Sequence, residues 1–344
     1  MINNKNLNPY PWQNQLWDKL HANKQQRHHA FLLHGPAGIG KFDFARFFSK
    51  SLLCTEQNAT GACGLCASCS WFNEDGHPDF KLISPEQEDE LEGETNSTKK
   101  TKKKTQISIA QIRDLTDFTG LSSHRSNGLR IILIYPAEAL NNASANALLK
   151  MLEEPAEGVV FLLVTQQIQR LLPTIVSRCQ KINMPAPNTA QSLAWLADQG
   201  LNNAEQQLQY FAGSPLNAMV DTLQYAQAKE FLQLLSHGEK LSPHVVAPAL
   251  LSQSAETGIV ALQKWLIDLV LMKQAKQVRY HAAYAKAIEA LAVKVNLAKL
   301  LQLQKNLNEL RKLALHPLNH ELQMEALLVD YTRIFSKTSA TAST

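Results

Sequence analysis

Apolar residues recur along the chain with two different periods, and the switch between them divides it. In the first 185 residues, short, mainly apolar runs alternate with stretches carrying one apolar stripe. Ala30 to His34, Phe80 to Ile83, Arg130 to Tyr135 and Val159 to Val164 are too short and too uniformly apolar for surface helices, and turn residues bound each of them. They read as buried parallel strands. Between them the spacing is helical. Pro11 opens a segment with Trp12, Leu16 and Leu20 on one face, Phe44, Phe47, Phe48 and Leu52 line another stripe, and Ala143, Ala147, Leu148 and Met151 a third that Pro155 stops. This alternation predicts an α/β domain, a parallel sheet with helices on both faces.

Pro185-Ala186-Pro187 interrupts both helix and sheet and marks the end of that domain at residue 185. Beyond it the pattern is helical. A weak seam at Ser236-His237-Gly238 divides the remainder into a small helical unit, 186–237, and a larger helical bundle, 238–335, with a polar tail at 336–344. Residues 84–106 are different again. Glu86, Glu88, Asp89, Glu90, Glu92 and Glu94 precede Lys99, Lys100, Lys102, Lys103 and Lys104, with too little apolar content to offset the entropy of ordering. We expect a disordered insertion, a solvated linker in preference to a DNA-touching tether.

Composition narrows the classes of function. With 344 residues the chain is long for one core, and 45% hydrophobic residues suffice for several. A net charge of +4 is mild, which argues against a module that holds DNA by its own charge. The polar start, Met1 to Asn6, and the lack of any long apolar run make a cytoplasmic protein the expectation. In that reducing compartment clustered cysteines read as metal ligands.

Four of the five cysteines cluster. Cys54, Cys63, Cys66 and Cys69 are separated by eight, two and two residues. Four thiolates at this spacing suit a closed, structural zinc site that staples an excursion without its own core. An iron–sulfur cluster is the chemical rival, although the ferredoxin run expects a further cysteine before proline, and Ser70-Trp71 follows here.

Directly upstream, Gly35-Pro36-Ala37-Gly38-Ile39-Gly40-Lys41 lies at a strand-to-helix turn. A phosphate loop needs glycines for close backbone approach, a lysine for the outer phosphates and a helix N-terminus behind them. Gly35, Gly38, Gly40 and Lys41 meet those needs. The next position does not, since Phe42 stands where a hydroxyl would hold magnesium. The strand that should end in acidic residues runs into Tyr135-Pro136, and Glu138 beyond them reads as a solvated loop carboxylate. Arg178, in Ser177-Arg178-Cys179, reads on its own as a surface salt-bridge residue.

Together these segments resemble the clamp-loader branch of the AAA+ proteins, and within it the delta-prime family of bacterial DNA polymerase III. The resemblance spans most of residues 8 to 335. Its specific parts are the phosphate loop running into Cys54, the cysteine knuckle, His77-Pro78-Asp79, the helix Ala145 to Pro155 and Ser177-Arg178-Cys179. The resemblance implies an AAA+ nucleotide-type domain with the zinc module at 54–69, a helical lid and a C-terminal collar for oligomerisation. It also implies assembly with motor (gamma/tau) and delta subunits to load a sliding clamp on primer-template DNA. In such families this subunit does not hydrolyse ATP, and the arginine matching Arg178 acts in trans on the ATP site of a neighbouring motor. Phe42, Tyr135-Pro136 and Leu216, which replaces the lid arginine of a motor, agree with that role. The intact Lys41 leaves weak nucleotide binding open, and Thr165 matches a phosphate-sensing position, although a strand-end threonine is more often structural. A chain ending at Thr344 lacks the tail of the extended motor form. The rivals are a self-sufficient ATPase motor subunit and, more weakly, a zinc-dependent DNA-binding module.

Overall fold

The computed structural model describes residues 8–22, 28–58, 61–86, 105–120, 128–251, 254–313 and 320–335. Contacts divide the chain into two units at Pro187/Asn188, two residues beyond the sequence boundary.

In the first unit α1 (Asn14–Ala22) precedes β1 (Ala30–His34), α2 (Lys41–Leu53) and α3 (Ala67–Asn73). Then follow β2 (Phe80–Ile83), α4 (Ile109–Gly120), β3 (Arg130–Ile134), α5 (Asn142–Glu153), β4 (Val159–Thr165), α6 (Pro173–Arg178) and β5 (Gln180–Asn183). The strands form one sheet, in the order β2-β3-β4-β1-β5, and every pairing is parallel. This is the parallel α/β sheet with helices on both faces that the alternation predicted. β3 and β4 are buried along their whole length, because helices cover both faces. On one face Phe31, Leu33, Ile131 and Leu162 pack with Phe44, Phe47 and Phe48 of α2. On the other Leu32, Ile132, Phe161 and Leu163 pack with Ile112, Leu148 and Leu152 of α4 and α5. Each fully buried side chain of this size contributes about 1.5–3 kcal/mol of burial, so the period-two exchange between faces fixes the register of the sheet.

The helix boundaries have local causes. Asn141 caps α5 by accepting the Ser144 amide at 2.9 Å, and the helix ends at Glu153 before Pro155. Ser84 and Gln111 flank the charged stretch and are tied by a 2.8 Å hydrogen bond from the Gln111 amide to the Ser84 carbonyl. The expected insertion, apart from its flanks, and the tail at 336–344 lie outside the described residues.

The second unit is helical throughout the described residues. It comprises α7 (Thr189–Asp198), α8 (Ala204–Tyr210), α9 (Pro215–Val220), α10 (Thr222–Leu235) and α11 (Pro243–Leu251). After these come α12 (Ala255–Ala275), α13 (Ala285–Lys294), α14 (Leu297–Leu313) and α15 (His320–Arg333). One apolar cluster runs from Leu196 to Phe335 across the seam at 236–238. Its polar anchors are buried. Asp268 accepts the amides of Arg279, Tyr280 and His281 and the His281 ring nitrogen at 2.7–3.1 Å, and Trp265 donates to the Tyr331 hydroxyl at 2.9 Å. Among the described residues no single helix is long and apolar enough to cross a membrane.

Candidate functional site: a phosphate loop and a cysteine knuckle

The phosphate loop leaves β1 at His34, whose strand neighbours are Thr165 on β4 and Asn183 on β5. The loop therefore sits at the carboxyl ends of the central strands, where α/β sheets bind ligands. A Cβ at Gly35 would lie 2.0 Å from the Met184 carbonyl oxygen, so only glycine fits. Gly38 has φ +67° and Gly40 has φ +80°, and a Cβ at Gly40 would also meet the Tyr10 ring at 2.3 Å. The segment before α1 seals this side of the loop. Gln13 donates to the carbonyls of Ile39 and Gly40 at 2.9 and 3.1 Å, Trp12 donates to Ile39 at 3.0 Å, and the Tyr10 hydroxyl donates to Asp43 at 2.8 Å. Sequence reasoning missed these supports, because only Pro11 marks that helix start.

Lys41 opens α2 but turns back on the loop, where its ammonium donates to the Pro36 carbonyl. Only 4% of the residue is exposed. Burial pulls its pKa down to about 8, with Glu138 partly opposing. The neighbouring position decides the chemistry. The Phe42 ring stacks on Tyr135, centroids 4.6 Å apart and planes inclined by 27°. Phe42 and Tyr135, which the sequence places where a hydroxyl and an acid are expected, thus form a single aromatic contact. Pro136 has no side-chain group for the second acid's work.

Glu138 departs from the sequence reading. It is half-buried on the short turn Ala137–Ala139, not a solvated loop carboxylate, and it accepts the Gln166 amide at 3.1 Å. The turn after Pro136 sets Glu138 beside the end of β4, which the residue types alone do not announce. Thr165 is fully buried and accepts the Gln167 amide at 3.0 Å, a structural use of its hydroxyl.

At the other end of α2 the four cysteines converge. Their sulfurs all lie within 4.8 Å of one another, with Cys54–Cys66 at 3.8 Å and Cys63–Cys69 at 4.0 Å. A tetrahedral metal with bonds of about 2.3 Å to sulfur requires edges of about 3.8 Å, so the cradle fits one ion. Backbone amides already point at the sulfurs: Cys63 N–H donates to Cys54 at 3.2 Å and Cys66 N–H to Cys63 at 3.3 Å. Burial opposes ionisation of Cys66, but hydrogen bonds led by Thr55 outweigh it and set that thiol at about 5. Burial pushes Cys54 and Cys69 up. None of the five cysteines is disulfide-bonded.

The knuckle is braced by His77. Its Nδ1 accepts the Asp79 amide at 3.0 Å, which leaves the proton on Nε2, 2.8 Å from Ser68 Oγ. Ser68 in turn donates to the Leu53 carbonyl at 2.6 Å. The motif His77-Pro78-Asp79 thus ties α3 to the end of α2.

Arg178 closes α6. Cys179 beside it is buried and its thiol is pushed up to about 11, while the arginine points outward. The guanidinium meets Glu153 at 2.5 Å and donates to the Thr174 carbonyl at 3.1 Å. Those partners lie on α5 and α6, away from the phosphate loop.

Two family models match the chain. One, described as DNA polymerase III, delta subunit, covers residues 12–188, and the other, its C-terminal part, covers 223–333. The DNA polymerase III subunit delta' of Pseudomonas aeruginosa is 35% identical over 94% of this chain and 98% of its own length. That of Yersinia pestis is 35% identical over 55% of this chain and 52% of its own. Among solved structures, a gamma subunit-related protein of DNA polymerase III from Thermotoga maritima overlaps 94% of this chain and all of its own, with 16% identity and a TM-score of 0.41. On the phosphate loop, the knuckle and the full-length likeness, the chain belongs to the delta-prime subunit family of DNA polymerase III.

Proposed function

We propose that this chain is the non-hydrolysing member of the clamp loader and that Arg178 is its trans-acting residue. The observation that carries the first half is the Phe42–Tyr135 stack, which puts two aromatic rings where a motor needs a magnesium ligand and an acid. What survives is an anion-binding turn with Lys41, enough for weak phosphate contact and insufficient for turnover. The second half is supported by exposure. Arg178 sits at a helix end with 36% of its side chain accessible, available to a neighbour's phosphates.

In this reading motor (gamma/tau) and delta subunits are the partners, and the sliding clamp and primer-template DNA are reached through the complex. Residues 186–237 serve as the lid and 238–335 as the oligomerising collar. Zinc is the metal of Cys54, Cys63, Cys66 and Cys69, because the sulfur separations suit a single tetrahedral ion, whereas an iron–sulfur cluster spreads its thiolates around several metal atoms. A four-sulfur shell leaves no open position, so the ion would hold the fold and take no part in the reaction. The protein acts in the cytoplasm.

Mixing the purified chain with its cognate motor and delta subunits tests the reading. It predicts a stable complex on size exclusion and clamp loading that depends on this chain. Failure to associate at micromolar concentrations contradicts it.

A further inference from the structure

Arg178 is restrained in a way that its proposed role does not by itself require. Its two terminal nitrogens are both engaged on its own chain: Nη2 pairs with Glu153 Oε1 at 2.5 Å and Nη1 donates to the Thr174 carbonyl at 3.1 Å. The two supports stand on firm ground. Thr174 lies in α6, which Pro173 starts and which Ile175, fully buried, and the adjoining Cys179 pin to the sheet. Glu153 is the last residue of α5, held by its Asn141 cap and by the buried Leu148 and Leu152. Yet the pair itself stays accessible, with 36% of the Arg178 and 48% of the Glu153 side chain exposed.

An exposed ion pair adds little stability, so stability does not account well for this contact. Its effect on the arginine is larger. A free arginine side chain samples many rotamers and loses that freedom when it binds; one already held loses less. Guanidinium has five N–H donors, and the two anchors use two of them, which leaves Nε and one hydrogen on each terminal nitrogen for an incoming phosphate. We propose that Glu153 is a positioning residue for Arg178, holding the guanidinium in the orientation it presents to the phosphoryl group of a neighbouring subunit. This rests on the trans-acting role given above to Arg178.

The test is a double-mutant cycle in the reconstituted complex, read as DNA- and clamp-stimulated ATP hydrolysis. Each variant is first checked for equal zinc content, melting temperature and assembly. Glu153→Ala should lower kcat about fivefold with the KM for ATP unchanged, and Glu153→Gln, which keeps an acceptor without the charge, about twofold. In an Arg178→Ala background neither change should lower kcat further. An unchanged or raised kcat in Glu153→Ala, or an equal drop with and without Arg178, would overturn the positioning role while leaving the trans-acting role standing. Equal rates for wild type and Arg178→Ala would overturn the trans-acting role itself, and this proposal with it.

Discussion

The two ends of α2 hold two sites in opposite condition. At its N-terminus the phosphate loop has Gly35, Gly38, Gly40 and Lys41 in place, but Phe42 and Tyr135 stack where a hydroxyl and an acid were expected. At its C-terminus all four cysteines are present and their sulfurs stand at the spacing one metal ion needs. The contrast separates scaffold from function. On the proposed reading, a loop that also carries strand β1 into helix α2 keeps a packing role without a reaction, whereas a metal knuckle without its own core has no packing to fall back on. Breaking the knuckle should therefore cost stability, and altering the loop should cost little else.

The largest effect is expected at Cys69, a fully buried ligand. Cys69→Ser should abolish stoichiometric zinc and destabilise the first unit by about 3–5 kcal/mol, seen as loss of one metal equivalent per chain and a lower denaturant midpoint. Full zinc retention would remove the four-cysteine assignment. Next comes the aromatic pair. Phe42→Ala and Tyr135→Ala should each cost about 1–2 kcal/mol, less than for a fully buried ring, and the double variant should cost less than their sum because both break one contact. Strict additivity would show that the stack contributes nothing of its own.

Lys41 gives a smaller effect with a defined pH signature. In the fold it loses its proton near pH 8, against an ordinary 10.5, because burial disfavours the charge. Below pH 8 the folded chain carries that full penalty; as pH rises from 8 to 10.5 only the unfolded chain stays protonated, so stability increases. Lys41→Met should thus stabilise by about 1 kcal/mol at pH 7, the lost Pro36 hydrogen bond offsetting part of the gain. The difference should shrink and then reverse in favour of the wild type through that alkaline window, and a gain independent of pH would show that the charge is not the cause. The smallest effect belongs to Leu65, 91% exposed between two ligands. Leu65→Ser should leave metal content unchanged and stability within about 0.5 kcal/mol, whereas any metal loss would mean that the knuckle depends on more than its sulfurs.

Much of this arrangement was legible in the sequence, and the reasons differ by element. The strands at 30–34 and 159–165 announced themselves because burial on both faces demands uninterrupted apolar runs; 80–83 is a strand as expected but not a buried one, since it lies at the sheet's edge with Lys81 and Leu82 exposed. The metal cradle was legible because cysteine spacing reports chemistry directly. Helix α3 was not, since its seven residues are shaped by the knuckle and carry no stripe long enough to read. Nor was the support of the loop by Tyr10 and Gln13, which depends on contacts 26 to 33 residues away. Glu138 misled for the same reason: a carboxylate beside a proline looks solvated until the end of β4 closes over it. Arg178 was legible as a surface ion-pair residue, and its contact with Glu153 matches that reading; its action on a neighbour is the proposal made above.

The central claim is that the loop at the head of α2 keeps its shape without its reaction. Its most direct test is ATP turnover by the purified chain alone, with magnesium, compared with a Lys41→Ala variant prepared in the same way. The account predicts that the two are indistinguishable and at background. Turnover that persists through purification and disappears in Lys41→Ala would contradict it and make this chain a motor.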